Sequence, residues 1–227
     1  MFASLATLAV LGVFSASAEE TAVHFYSCQP RANGIYEDPN CRHITGTFVY
    51  ERLGLPSTAE KVKSVGKSEF ELDVTILGVP IHVGCTSEAG TGTAWNPEPF
   101  KTASGLGKTT MTFEGCTVSK PGGCALPGKK FVTKELKAAL EENKTLGRGV
   151  KLTPVSGEIF AELNLGEECA VGEKVSIKGS DFGIANEKGL VEFTEASSSL
   201  TVGTNKVKLK GTTKEEDEKG NAIVIAP

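Results

Sequence analysis

The feature that most constrains this chain is a two-residue alternation between Glu69 and Cys85. Phe70, Leu72, Val74 and Ile76 alternate with Glu69, Glu71, Asp73 and Thr75. Successive side chains of a strand point to opposite faces, so the pattern describes a sheet with one buried and one wet face. Gly78, Val79 and Pro80 interrupt the run, and Ile81, Val83 and Cys85 resume it, which reads as strand, turn and strand. Shorter runs of the same kind follow. They fall at Thr109 to Phe113, Val150 to Pro154, Ile159 to Leu165, Val175 to Ile177, Leu190 to Phe193, Leu200 to Val202, Val207 to Leu209 and Ile223 to Ile225. Repeated short strands with polar turns predict an all-β fold, an antiparallel β-sandwich or open barrel. Twenty-six glycines suit such a turn-rich chain.

Three stretches read differently. Phe131 to Glu142 has apolar residues that fit either a helical face or one strand face, and its β-rich surroundings favour strand. Leu53 to Ser68, with Gly54, Pro56 and several lysines, reads as a linker or long connection. The segment from Ser87 to Thr109 carries Gly90, Gly92, Pro97, Pro99, Gly105 and Gly107 and predicts an exposed loop over most of its length. The acidic run Lys214 to Lys219 predicts a solvated hairpin loop.

Residues 1–18 carry no charge, hold an apolar run from Leu5 to Phe14, and end in Ala16-Ser17-Ala18. This is the pattern of a signal peptide cleaved after Ala18, although no Lys or Arg precedes the apolar run. No later segment is long and apolar enough to predict a membrane span in the mature chain. Six cysteines behind an export signal predict disulfides rather than a metal site. Short spacings favour Cys28 with Cys41 and Cys116 with Cys124, which leaves Cys85 with Cys169. The expected organisation is a signal peptide (1–18), a small cysteine-bracketed module (19–52), a connection (53–68) and a β-sandwich domain (69–227).

The net charge of −4, with no basic stripe, argues against nucleic acid as a partner. Ser104-Gly105-Leu106-Gly107-Lys108-Thr109 copies the end of a phosphate-binding loop, but Thr102 stands where the first glycine belongs and a strand pattern follows instead of a helix. His24, His43 and His82 are scattered, and no G-x-S-x-G is present. Glu69, Glu71 and Asp73 share one solvated strand face. No catalytic residue, metal or cofactor is therefore assigned. Trp95 and Phe100, on the polar stretch AWNPEPF, are the candidate ligand-binding residues, since aromatic rings on such a loop can stack on sugars or anchor a protein; the competing role for Trp95 is to cap the sheet. Asn143-Lys144-Thr145 is a formal glycosylation sequon.

The segments CQPRANGIYEDPNC, GTFVYE, VPIHVGCTSEAGTG, MTFEGCTVSKPGGC, KLTPVSGEIFAEL and GLVEFTE resemble secreted, disulfide-containing β-rich proteins of high-GC soil bacteria, of actinobacterial type. The most specific pieces are Cys28, Gly34, Tyr36, Asp38 and Cys41, and the Cys116 and Cys124 pair. The resemblance implies export and a disulfide-bearing β fold and brings no activity with it. The expectation is a secreted or cell-surface, non-catalytic protein with a structural or binding role in the cell envelope, its partner a cell-wall glycan or an envelope protein. The alternative is a carbohydrate-active enzyme or carbohydrate-binding module using Trp95 and Phe100.

Overall fold

The computed structural model describes residues 22–44, 49–186 and 188–227. The expected signal peptide lies outside these residues. In chain order the strands are β1 (His24–Pro30), β2 (Tyr50–Gly54), β3 (Glu60–Gly66), β4 (Phe70–Ile76), β5 (Val79–Cys85), β6 (Ser87–Trp95), β7 (Leu106–Glu114), β8 (Thr117–Lys120) and β9 (Lys130–Val132). They continue as β10 (Leu136–Asn143), β11 (Gly147–Pro154), β12 (Ile159–Asn164), β13 (Lys174–Lys178), β14 (Asp181–Ala185), β15 (Val191–Phe193), β16 (Leu200–Val202), β17 (Asn205–Asp217) and β18 (Ile223–Ala226). The chain is all-β, and Phe131 to Glu142 contributes strands, not a helix.

Strands β3, β6, β7, β10, β11, β14, β15 and β17 pair each with the next in antiparallel order, and β17 returns to β3 through Thr213↔Gly66 to Asp217↔Val62. The barrel is thus closed, which removes the free edges an open sheet would leave. Between staves the chain leaves the barrel and comes back. The excursions β12, β13 and β16 on one side and β4, β5 and β8 on the other flank the first half of β17 as a second sheet. The alternation at Phe70 to Cys85 is the β4–β5 hairpin of that sheet. Phe70, Leu72, Val74, Ile81 and Val83 are buried. Its two-residue turn is Leu77-Gly78, both at positive φ, as the twist of a tight hairpin requires.

Four sequence expectations are corrected. Leu53 to Ser68 is no linker, because β3 within it is a barrel stave. Ser87 to Trp95 is also a stave, in spite of its glycines. Gly92 lies where a Cβ would stand 2.0 Å from the Lys108 carbonyl oxygen, so the close approach of β6 to β7 excludes a side chain there. Lys214 to Asp217 belongs to β17, and only the end of the acidic run turns. Of the disulfides, Cys28–Cys41 is as expected, but the others are Cys85–Cys116 and Cys124–Cys169. The register explains the second bridge: Gly84 pairs with Thr117, which sets Cys85 beside Cys116, with Cα atoms 3.9 Å apart.

A three-stranded sheet, β18-β1-β2, closes one end of the barrel, with Phe25, Ile223 and Ile225 reaching its interior. Asn96, 1 % exposed, ties it down. Its Oδ1 accepts the Phe25 N–H at 2.9 Å, and its Nδ2 donates to the Phe25 and Leu55 carbonyls at 2.9 and 3.0 Å. Leucine at this position, Asn96→Leu, would leave the Phe25 N–H and the Leu55 carbonyl without these partners. We expect a loss of about 3 kcal/mol in a urea unfolding titration, since each orphaned buried group costs about 1–3 kcal/mol.

Candidate functional site

A groove of about 620 Å³ lies at the plugged end of the barrel. It is lined by β18, by the turns joining β10 to β11 and β14 to β15, and by residues of the cysteine-bracketed loop. Its size is in the range of ligand sites. Three arginines, Arg42, Arg52 and Arg148, and His43 line it against one carboxylate, Glu142. The groove is therefore locally cationic on a chain whose net charge is −4.

Each arginine is placed by a different local device. The turn carrying Arg42 is organised by Asp38, whose carboxylate accepts the backbone N–H groups of Asn40, Arg42 and His43 at 2.9, 2.8 and 3.0 Å, and the Arg42 Nε at 3.1 Å. Burial alone would push the Asp38 carboxyl up; these backbone and guanidinium donors outweigh it and hold it at about 2. Arg52, opposite Cys28 in the β1–β2 ladder, lies over the Tyr36 ring at 4.8 Å and donates to the Cys41 carbonyl at 2.9 Å, so the disulfide loop fixes its guanidinium. Its Nε is buried without a partner among the described residues. Arg148 pairs with Glu142 in the β10–β11 register, is half-buried, and makes no side-chain hydrogen bond or ion pair among the described residues. The opposite turn is shaped by Asn186, whose Oδ1 accepts the N–H groups of Lys188 and Leu190 at 2.9 and 3.1 Å.

A second candidate is the barrel interior, where a chamber of about 60 Å³ is lined mostly by apolar side chains and by Ser64 and Glu215. Ser64 Oγ donates to Glu88 at 2.8 Å, and Thr213 Oγ1 donates to Glu215 at 2.9 Å. Gly90 makes the first contact possible, since a Cβ there would stand 2.1 Å from the Ser64 hydroxyl. Burial raises Glu88 to about 7, against the Ser64 hydrogen bond. Burial, reinforced by the neighbouring Glu88 and Glu216, raises Glu215 to about 8 against the Thr213 hydrogen bond. At about four water volumes the chamber is too small for a ligand of ordinary size.

A third concavity holds a His82–Asp73 pair. The two residues face each other in the β4–β5 register, with Nδ1 and Oδ1 2.6 Å apart. Ser119 lines the same basin, and no hydrogen bond joins it to His82 among the described residues. Lys206, Lys208 and Lys210 alternate along β17 at its rim, with Lys208 paired to Glu195.

The two aromatic residues singled out in the sequence do not converge on a groove. Trp95 is half-buried at the end of β6, opposite Leu106. Phe100 lays one face on His24, with ring centroids 3.9 Å apart, and Tyr26 meets its edge. Neither lines the arginine groove or the barrel chamber. His24 is 3 % exposed and both ring nitrogens lack partners among the described residues, so Phe100 acts as its cover.

Sequence reasoning missed the arginines because Arg148 joins Arg42 and Arg52 from almost a hundred positions further along the chain. Glu88 and Glu215 did leave a signal: Glu88 shares strand parity with Ala94, and Glu215 with Val207 and Leu209. The pH dependence follows chiefly from these two groups, and Asp181, buried at the start of β14 and raised by burial to about 7, adds to it with the same sign. The Glu88 and Glu215 carboxyls hold protons in the folded chain that the unfolded chain releases above about 4.5. This stabilisation is fully present below that pH and is lost as pH rises through 7 to 8. Urea titrations at pH 5.5, 7 and 9 should show stability falling along this series by on the order of 2–4 kcal/mol. Glu215→Gln should partly flatten the fall; an unchanged slope would show that Glu215 is ionised in the folded chain throughout this range.

No protein-family model matches the chain, and no curated protein and no solved structure matches it.

Proposed function

We propose that this is a secreted or cell-surface protein that acts by binding in the cell envelope or its surroundings, and that the arginine groove holds an anionic partner. One observation carries the reading: three arginines converge on one concavity of an acidic chain, and Arg148 is left without a partner among the described residues. Such a half-buried cation costs desolvation that an incoming carboxylate, sulfate or phosphate would offset. Extracellular placement is supported by the three disulfides, which persist in oxidising compartments. No helix among the described residues is long and apolar enough to cross a membrane.

Carboxylated oligosaccharides and acidic peptides are the probes, read by calorimetry at low and moderate salt. Binding should weaken with salt, because exposed charge pairs are screened within about 8–10 Å at physiological ionic strength. Arg148→Glu should weaken it by about tenfold or more, having replaced an attraction with a repulsion. Trp95→Ala should leave it unchanged. Binding lost in Trp95→Ala and kept in Arg148→Glu would move the site to the aromatic loop and favour a sugar-stacking module.

A further inference from the structure

The groove also contains an unpaired strand edge. β18 is the outer strand of the β18-β1-β2 sheet and pairs only with β1 among the described residues. Which of its backbone groups point outward follows from the register. The Cys28 N–H donates to the Ala222 carbonyl, so Ala222, Val224 and Ala226 turn their backbone groups towards β1. The same parity turns the Phe25 N–H and carbonyl away from β18, and both are found on Asn96. Ile223 and Ile225, opposite Ser27 and Phe25, therefore point their N–H and C=O groups to the outer edge. Near its start that edge is met by β17, through an isolated bridge between Glu216 and Ala222. Beyond the bridge, the Ile225 N–H and C=O have no partner among the described residues.

We propose that the groove accepts an extended acidic segment of a partner protein, which adds as a strand along β18 and sets its carboxylates against Arg42 and Arg148. This rests on the reading of the groove as the binding site and names what it binds. The strand edge is the reason for choosing a peptide over an acidic glycan. A backbone presents N–H and C=O groups at the 3.3–3.4 Å residue repeat of a strand, whereas a sugar chain offers no such ladder. Four residues of β18 line the groove, so the occupant is short, about four residues. Its side chains alternate between faces, so an acid at every second position brings two carboxylates to one side. The arginines supply the charge complementarity that an acidic segment matches.

The test uses the full chain with its disulfides intact and three probes followed by fluorescence anisotropy. These are a labelled peptide of alternating glutamate and valine, the same peptide N-methylated at alternate amides in each of the two registers, and a labelled tetragalacturonate. The expected result is that the plain peptide binds and that N-methylation in one register weakens it by about tenfold or more, as loss of edge hydrogen bonds requires. Arg148→Glu should weaken the plain peptide as well. Equal binding of all the peptides, or tetragalacturonate binding tighter than the plain peptide, would overturn strand addition while leaving an anion-binding groove in place. Absence of binding by every probe would overturn both. A dimer on size exclusion that blocks the peptide would replace the partner with a second copy and overturn the proposal.

Discussion

The pairing of β17 with β3 is the constraint on which the rest of this molecule depends. Five residue pairs, Thr213↔Gly66 to Asp217↔Val62, join the last stave to the first and turn a long sheet into a barrel. Closure brings Glu215 and Glu88 into one interior, because β3 has β17 on one side and β6 on the other. β17 can do this because it is thirteen residues long and changes partners along its length, from β16 to β4 and then to β15 and β3. A single strand thus holds the barrel and the outer sheet together, and one continuous hydrophobic core fills both.

The end of the barrel is closed by a different device. Asn96 makes three hydrogen bonds to the backbone, two of them to groups that would otherwise be buried and unpaired, the Phe25 N–H and the Leu55 carbonyl, and so holds β1 across the opening. With β1 fixed, β18 lies along it with one edge satisfied and the other facing the groove. The same arrangement carries Arg52, since β2 pairs with the far side of β1. The plug and the groove are therefore one construction: what seals the barrel also presents the cationic surface.

Electrostatics divides the molecule into unlike parts. Burial shifts the carboxyls inside the barrel towards their protonated form, while Asp38 at the surface is held ionised by three backbone N–H donors and a guanidinium. The side-chain type is nearly the same in each case; enclosure and donors decide the charge. A net charge of −4 describes neither place. Charge summed over a chain excludes broad classes of partner, but recognition is set by the few groups that a fold brings to one concavity.

Strand parity was legible from residue order alone, because the side-chain period of a strand is local. Phe70, Leu72, Val74, Ile81 and Val83 are buried as their alternation requires, and Phe131 to Glu142 is strand as its neighbours suggested. The Cys28–Cys41 bridge, closed over thirteen residues, was legible for the same reason. Partner choice was decided by the tertiary structure. Cys85 pairs with Cys116 because β5 lies beside β8, and short spacing pointed elsewhere. Gly90 and Gly92 read as loop, but they are where neighbouring groups come too close for a side chain. Arg42, Arg52 and Arg148 are unremarked in the sequence, since over a hundred positions separate the first from the last. A period-two pattern records which face a residue occupies, and only closure of the barrel determines what stands opposite it.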